Sequence, residues 1–182
     1  MPIYQNATMN TDKVEIGNYT ISVGAKGTSA GGTWVNLGAG TLKDFAYVPE
    51  LINSQAGNAL VPLYGTVRET ATFSFDLIEY DGSAFSALSG GMMSGTSGSV
   101  TVGGLTSASI LTGKGIKLVN NRKLASGSAQ TTTIVCNECY LNSGWTIGIK
   151  SDNDTDPISV YSFAMTAIQY ATAGNVYYKT VA

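Results

Sequence analysis

The chain contains no histidine, only two cysteines and four prolines, and 12% of its 182 residues are charged. The missing histidine removes the usual general base and the commonest metal ligand. Ser-His-Asp and Cys-His nucleophilic arrangements are therefore excluded within this chain. The cysteines stand as Cys136-Asn137-Glu138-Cys139. A structural zinc takes about four ligands, and nothing here completes the set. A redox pair needs a helix start inside a βαβ pattern, which this sequence does not offer. On a regular strand the two thiols face opposite sides, so a disulfide between them requires a bulge or turn. The expectation is two half-buried, reduced thiols.

Other absences narrow the field further. The net charge of −2 argues against a surface that binds nucleic acid by neutralising phosphates. No apolar run approaches the roughly 20 residues needed to span a bilayer. The opening MPIYQNATMN lacks a basic region followed by an apolar run, so a soluble chain without a secretory leader is expected. On that reading the sequons at Asn6, Asn18 and Asn153 are coincidences of composition. No phosphate-binding glycine loop lies between a strand and a helix. Asp152-Asn153-Asp154-Thr155-Asp156 imitates the start of a calcium loop. Pro157 stands where glycine must turn that loop, and Phe163 where its bidentate acid belongs, so a solvated turn is expected. The acids show no arrangement that marks a paired-carboxylate mechanism. Neither an enzyme nor a cofactor is expected.

What is present is 22 glycines and 43% hydrophobic residues among abundant Ser and Thr, with no long amphipathic helical pattern. This is the profile of an all-β protein with many turns. Soluble domains usually carry roughly a quarter charged residues. The low charge therefore suggests a surface largely covered by partners.

The most informative stretch is residues 41–80, TLKDFAYVPELINSQAGNALVPLYGTVRETATFSFDLIEY. Two β-rich arms flank the polar tip Gln55-Ala56-Gly57-Asn58, the sequence form of a long hairpin over residues 41–68. Phe45, Tyr47 and Leu51 alternate with Asp44, Ala46, Val48 and Glu50; Ala71, Phe73, Phe75 and Leu77 alternate with Thr70, Thr72, Ser74 and Asp76. Successive strand side chains point to opposite faces, so one face of this ribbon is apolar and the other wet. Pro49 and Pro62 cannot donate to a ladder and belong at bulges or where an arm leaves the sheet.

Residues 1–11 read as a polar arm. Tyr19, Ile21 and Val23 mark a first strand, residues 24–32 a loop, and Trp34 to Leu37 a short strand. Ser83 is placed to cap a short helix over 83–91 ended by Gly90 and Gly91. The run GGMMSGTSGS reads as a surface loop. Further strands are expected over 100–102, 116–119, 131–141, 145–149, 158–170 and 176–181. Together these predict one all-β domain over residues 1–182, a β-sandwich or partial barrel with one short helix and a projecting hairpin.

The piece GNALVPLYGTVRETATFSFDLIE, with the strand TLKDFAYVPELI before it and the short helix after it, resembles the major tail tube proteins of long-tailed bacteriophages. The likeness covers roughly residues 40–91. It implies a β-sandwich protomer that self-assembles into rings, with six subunits each, stacked as a hollow tube through which DNA passes without specific binding. The sheets of neighbouring subunits would join in one inner barrel. Tape-measure, terminator and baseplate or tip proteins would be partners. The setting would be the virion, assembled in the bacterial host cytoplasm, with no membrane role. Under that resemblance Asp44, Glu50, Thr70, Thr72, Ser74 and Asp76 become candidates for the lumen wall. Gln55, Ala56, Gly57 and Asn58 become candidates for contact between subunits or rings. Two other readings use the same residues: a head decoration protein, and a carbohydrate-binding β-sandwich built on Trp34, Trp145 and the tyrosines.

Overall fold

The structure, a computed structural model, describes residues 18–54, 63–78, 81–89, 93–96, 98–102, 111–124, 127–150, 158–172 and 174–182. Its elements are β1 (Asn18–Ala25), β2 (Val35–Ser54), β3 (Leu63–Leu77), α1 (Gly82–Leu88), β4 (Met93–Thr96), β5 (Ser99–Val102), β6 (Lys114–Lys123), β7 (Ala129–Lys150), β8 (Ile158–Ile168) and β9 (Tyr177–Val181). The fold is all-β with one short helix, as the composition suggests.

Seven strands form one antiparallel sheet in the order β6-β1-β2-β3-β8-β7-β9, and β6 also pairs with β7. That extra pairing bends the sheet round into a partial barrel. Inward positions follow the period of two: Tyr19, Ile21 and Val23 on β1, Ala71, Phe73, Phe75 and Leu77 on β3, and Phe163, Met165 and Ala167 on β8 are all buried. Phe75 stacks on Phe163 with ring centroids 5.5 Å apart, and Phe73 on Phe45 at the same separation. Burying each such side chain contributes roughly 1.5–3 kcal/mol.

Helix α1 packs onto this core through Ala84, Phe85 and Leu88. The Phe85 ring meets Phe163 edge-on at 5.2 Å. Its cap is Asp81, not Ser83: the Asp81 carboxylate accepts the Ser83 backbone N–H at 2.9 Å and the Ser83 hydroxyl at 2.6 Å. A carboxylate two residues earlier reaches the first free amides, and the hydroxyl is left to support it. The helix then ends at Ser89, before the glycines expected to stop it.

Three expectations about elements are corrected. Val35 to Leu37, from the short strand expected over Trp34 to Leu37, and the first hairpin arm belong to the single strand β2, because Leu37 is accommodated as a bulge opposite Ile21 and Ser22. Gly38 beside it adopts φ 109°, open to glycine at little cost. The segments at 131–141 and 145–149 are likewise one strand, β7, with a register shift between Leu141 and Trp145. Part of the run read as a loop is strand β4, which pairs with β5 in a separate two-stranded sheet. Pro49 does sit beside a register shift, between Glu50 and Leu51. Pro62 lies outside the described residues.

Candidate assembly surface

Register assigns the polar candidates to one face of the sheet. Asp44 pairs with Ser74 and Ser74 with Ala164; Ala46 with Thr72 and Thr72 with Thr166; Val48 with Thr70 and Thr70 with Ile168. Cross-strand partners share a face, so these rows form one surface of hydroxyls and small side chains. Asp44 and Glu50 are exposed, while Thr70, Thr72 and Ser74 are half-buried. The Ser74 hydroxyl donates to Asp44, and the Thr70 hydroxyl to the Val48 carbonyl at 3.1 Å. The Thr70 and Ser74 hydroxyls are thereby tied to their own sheet.

Asp76 differs from the others. It is 3% exposed and carries the Lys43 ammonium 2.6 Å from its carboxylate, with the Ser162 hydroxyl donating as well. Lys43 reaches it because the shift between Leu42 and Asp44 lets this residue out of the alternation. No sequence pattern signals that bulge. Glu50 stands opposite Arg68 in register. The face thus mixes acids with bases and carries little net charge. The tip residues Gln55, Ala56, Gly57 and Asn58 lie outside the described residues.

The ribbon outruns its sheet. The β3–β8 pairing ends at Thr70 and Ile168, whereas β2 and β3 stay paired from Pro49–Glu69 out to Ser54–Leu63. At about 3.3 Å per residue the two strands continue for roughly 20 Å with no other strand among the described residues paired to them. Near the base of this extension Tyr47 and Val48 are 46% and 47% exposed. A cleft of about 360 Å³ opens beside them, lined by Tyr47, Glu69, Gly174, Asn175, Val176 and Tyr177. Tyr47 donates to the Glu69 carboxylate, which holds the phenol above its ordinary pKa. Tyr177 meets Phe45 edge-on at 4.9 Å, so the start of β9 roofs the inner end of this cleft. A second cleft of about 330 Å³ lies between Asn18, Ala39, Gly40, Thr41, Asp76, Ile78 and Val160. The chemistry of both clefts is apolar contact and hydrogen bonding.

The cysteines are more buried than expected. Three residues of β6 face four of β7 where Lys114 pairs with Cys139 and Ile116 with Cys136. That bulge turns both thiols inward, to 0% and 1% exposure, with Cys139 Sγ 3.8 Å from the Cys136 carbonyl oxygen. Burial pushes the Cys139 thiol well above its usual value. Between them Glu138 is 8% exposed, accepts the Tyr140 hydroxyl at 2.7 Å and lies 3.6 Å from the Lys26 ammonium. Among the described residues no three acidic, thiol or imidazole groups cluster to hold a metal, and no helix is long and apolar enough to cross a membrane. Trp34 is half-buried, with Lys117 5.0 Å over its ring, so it offers no open sugar platform.

No protein-family model matches the chain, and no curated protein matches its sequence. Among solved structures it is similar to the tube-terminating cap of the anti-feeding prophage, at 11% identity over 100% of both chains with a TM-score of 0.44. It is also similar to an Hcp protein, at 10% identity over 90% of this chain and 98% of that one, with a TM-score of 0.34. Likeness at this level assigns no function. The geometry has to carry it.

Proposed function

We propose that the protein is a structural subunit that self-assembles into rings, six protomers each, stacked as the hollow tail tube of a phage or related injection machine. The observation that carries this reading is the outer end of the β2–β3 ribbon, beside which no other strand pairs among the described residues. A lone two-stranded hairpin is marginal in water, and exposed strand edges invite pairing. A ribbon of this length is stable when a neighbouring subunit covers it. Tyr47 at its base, on the face opposite the hydroxyl rows, supplies apolar contact for that neighbour.

In this reading Asp44, Glu50, Thr70, Thr72 and Ser74 line the bore, with Asp76 beneath them neutralised by Lys43. Hydroxyls already bonded within the sheet and a nearly balanced charge give a passing polyanion little to hold, which suits a conduit. The tip Gln55 to Asn58 then meets the adjacent ring. Tape-measure, terminator and baseplate or tip proteins would complete the tail.

Negative-stain electron microscopy across a concentration series, paired with sedimentation velocity, tests the class. Rings or tubes of uniform bore are expected, with assembly lost on replacing Tyr47 by Asp. Compact trimers at every concentration would replace this reading with that of a decoration protein.

A further inference from the structure

The cleft at the base of the ribbon has the composition of a socket for a cation. Tyr47 and Tyr177 both line it, their rings at 63° with centroids 6.5 Å apart. Glu69 adds a carboxylate beside them, bonded by the Tyr47 hydroxyl. One hydroxyl leaves most of the acceptor capacity of a carboxylate open. Aromatic rings beside an ionised acid favour an ammonium on an alkyl stem, since the stem packs on the rings while the charge meets the acid. The β9 side of the cleft is fixed, because the Asn137 side-chain amide donates to the Asn175 side-chain oxygen. A volume of about 360 Å³ is small for a ligand site and admits one long side chain.

The charges of the chain leave this acid without a cation. Among the described residues the ion pairs are Lys26 with Glu138 and Lys43 with Asp76, and Glu69 is in neither. Of the other exposed cations there, Arg68 stands opposite Glu50 in register and Lys179 has a partner of its own. Lys123 is left, exposed at the closing pair of the β6–β7 hairpin.

Lys123 and Glu69 are too far apart to meet within one protomer. Lys123 pairs with Ala129, whereas Glu69 lies just beyond the row formed by Ala71, Ala167 and Cys139. Ala129 and Cys139 bound the stretch of β7 that pairs with β6, roughly 30 Å apart at about 3.3 Å per residue. A lysine that reaches Glu69 therefore comes from another chain. A contact between two different patches of one sequence is heterologous and repeats into a ring or a filament.

We propose that the cleft of Tyr47, Glu69 and Tyr177 receives the Lys123 ammonium of a second copy of this chain, a head-to-tail contact that rests on the assembly reading and gives it a partner residue.

Charge reversal tests the contact on the full chain, by sedimentation velocity and electron microscopy. Glu69→Lys and Lys123→Glu are each expected to move the midpoint of association about tenfold or more to higher concentration. Mixed in equal amounts, the two variants again offer every lysine an acid, and association within about twofold of the parent is expected. Glu69→Gln keeps the shape of the cleft and should leave association less sensitive to salt than in the parent. Parental assembly in both reversal variants, with the parent's salt dependence in Glu69→Gln, would overturn the contact and retain the tube. So would the absence of rescue on mixing variants that both unfold at the parent's urea midpoint. A parent chain that stays monomeric at every concentration would reject the assembly reading, and the contact with it.

Discussion

Lys43 and Asp76 lie on neighbouring strands, and the bulge between Leu42 and Asp44 sends the Lys43 ammonium to within 2.6 Å of a carboxylate that is only 3% exposed. The pair is lopsided: the Lys43 side chain keeps 44% of its surface, while the acid has almost none. Lys43→Ala removes the ammonium from a buried charge, to which the Ser162 hydroxyl still donates. Solvent screening on the lysine side moderates the loss, and roughly 1–3 kcal/mol is expected from urea unfolding. Adding Asp76→Asn to Lys43→Ala should recover part of it. No recovery would mean the lysine acts through its alkyl stem.

The cap of α1 carries a pH signature. Hydrogen bonds from Ser83 hold the Asp81 carboxyl below its ordinary value. A carboxyl lowered on folding contributes stability above its unfolded pKa, about 3.9, and loses it as pH falls through the lower folded value. Docking of α1 should therefore loosen below about pH 4. In Asp81→Asn, where the cap carries no charge, that acid limb should flatten, as read by the exchange of the Phe85 amide against pH.

Phe85 is the side chain that anchors the helix, touching the rings of both Tyr161 and Phe163. Phe85→Ala should destabilise the protein by about 3–5 kcal/mol in equilibrium denaturation, the loss typical of a buried ring replaced by a cavity. Phe85→Leu should lose less than half as much.

The thiols of Cys136 and Cys139 are both buried and free. With Cys139 held protonated well above the usual thiol range, neither should react with an aromatic disulfide reagent at neutral pH in the native state. Two equivalents should titrate in denaturant. Fast native labelling would show that the β6–β7 bulge opens readily.

Tyr140 gives an alkaline counterpart. The Glu138 carboxylate accepts a hydrogen bond from its hydroxyl and raises its pKa. A tyrosine raised on folding contributes stability below its unfolded value, about 10, and loses it as pH climbs through the folded one. Glu138→Gln should bring the Tyr140 ionisation, followed by ultraviolet absorbance, to lower pH.

The strands that sequence made legible are those whose alternation runs unbroken. Tyr19, Ile21 and Val23, or Phe73 and Phe75, name their own buried face because nothing shifts the period of two between them. What stayed hidden sits at irregularities. Gly38 and Gly40 look like a break before the hairpin, yet both lie within β2; a Cβ on Gly40 would sit 2.5 Å from the Asp76 carbonyl oxygen, so the glycine serves close strand packing. Asn142-Ser143-Gly144 has turn composition but lies inside β7. Both cysteines face inward only because β6 slips against β7. The wet face of the ribbon was readable; the burial of Asp76 was not, since the residue that covers it leaves its strand's alternation. Local composition cannot show where a partner strand adds or drops a residue.

Strand β7 pairs with β6 and β9 through its first half and with β8 through its second. Strands β1 and β3 each await a partner far along the chain, β6 for one and β8 for the other. During synthesis the β1–β3 meander therefore leaves the ribosome with its phenylalanine-rich side uncovered. Strands β6 to β8 follow only after the helix and the small sheet have emerged. Such long-range closure is slow, and the interval before it is when this chain is most open to aggregation or to a chaperone. Its yield in a cell is set by how quickly the last third arrives.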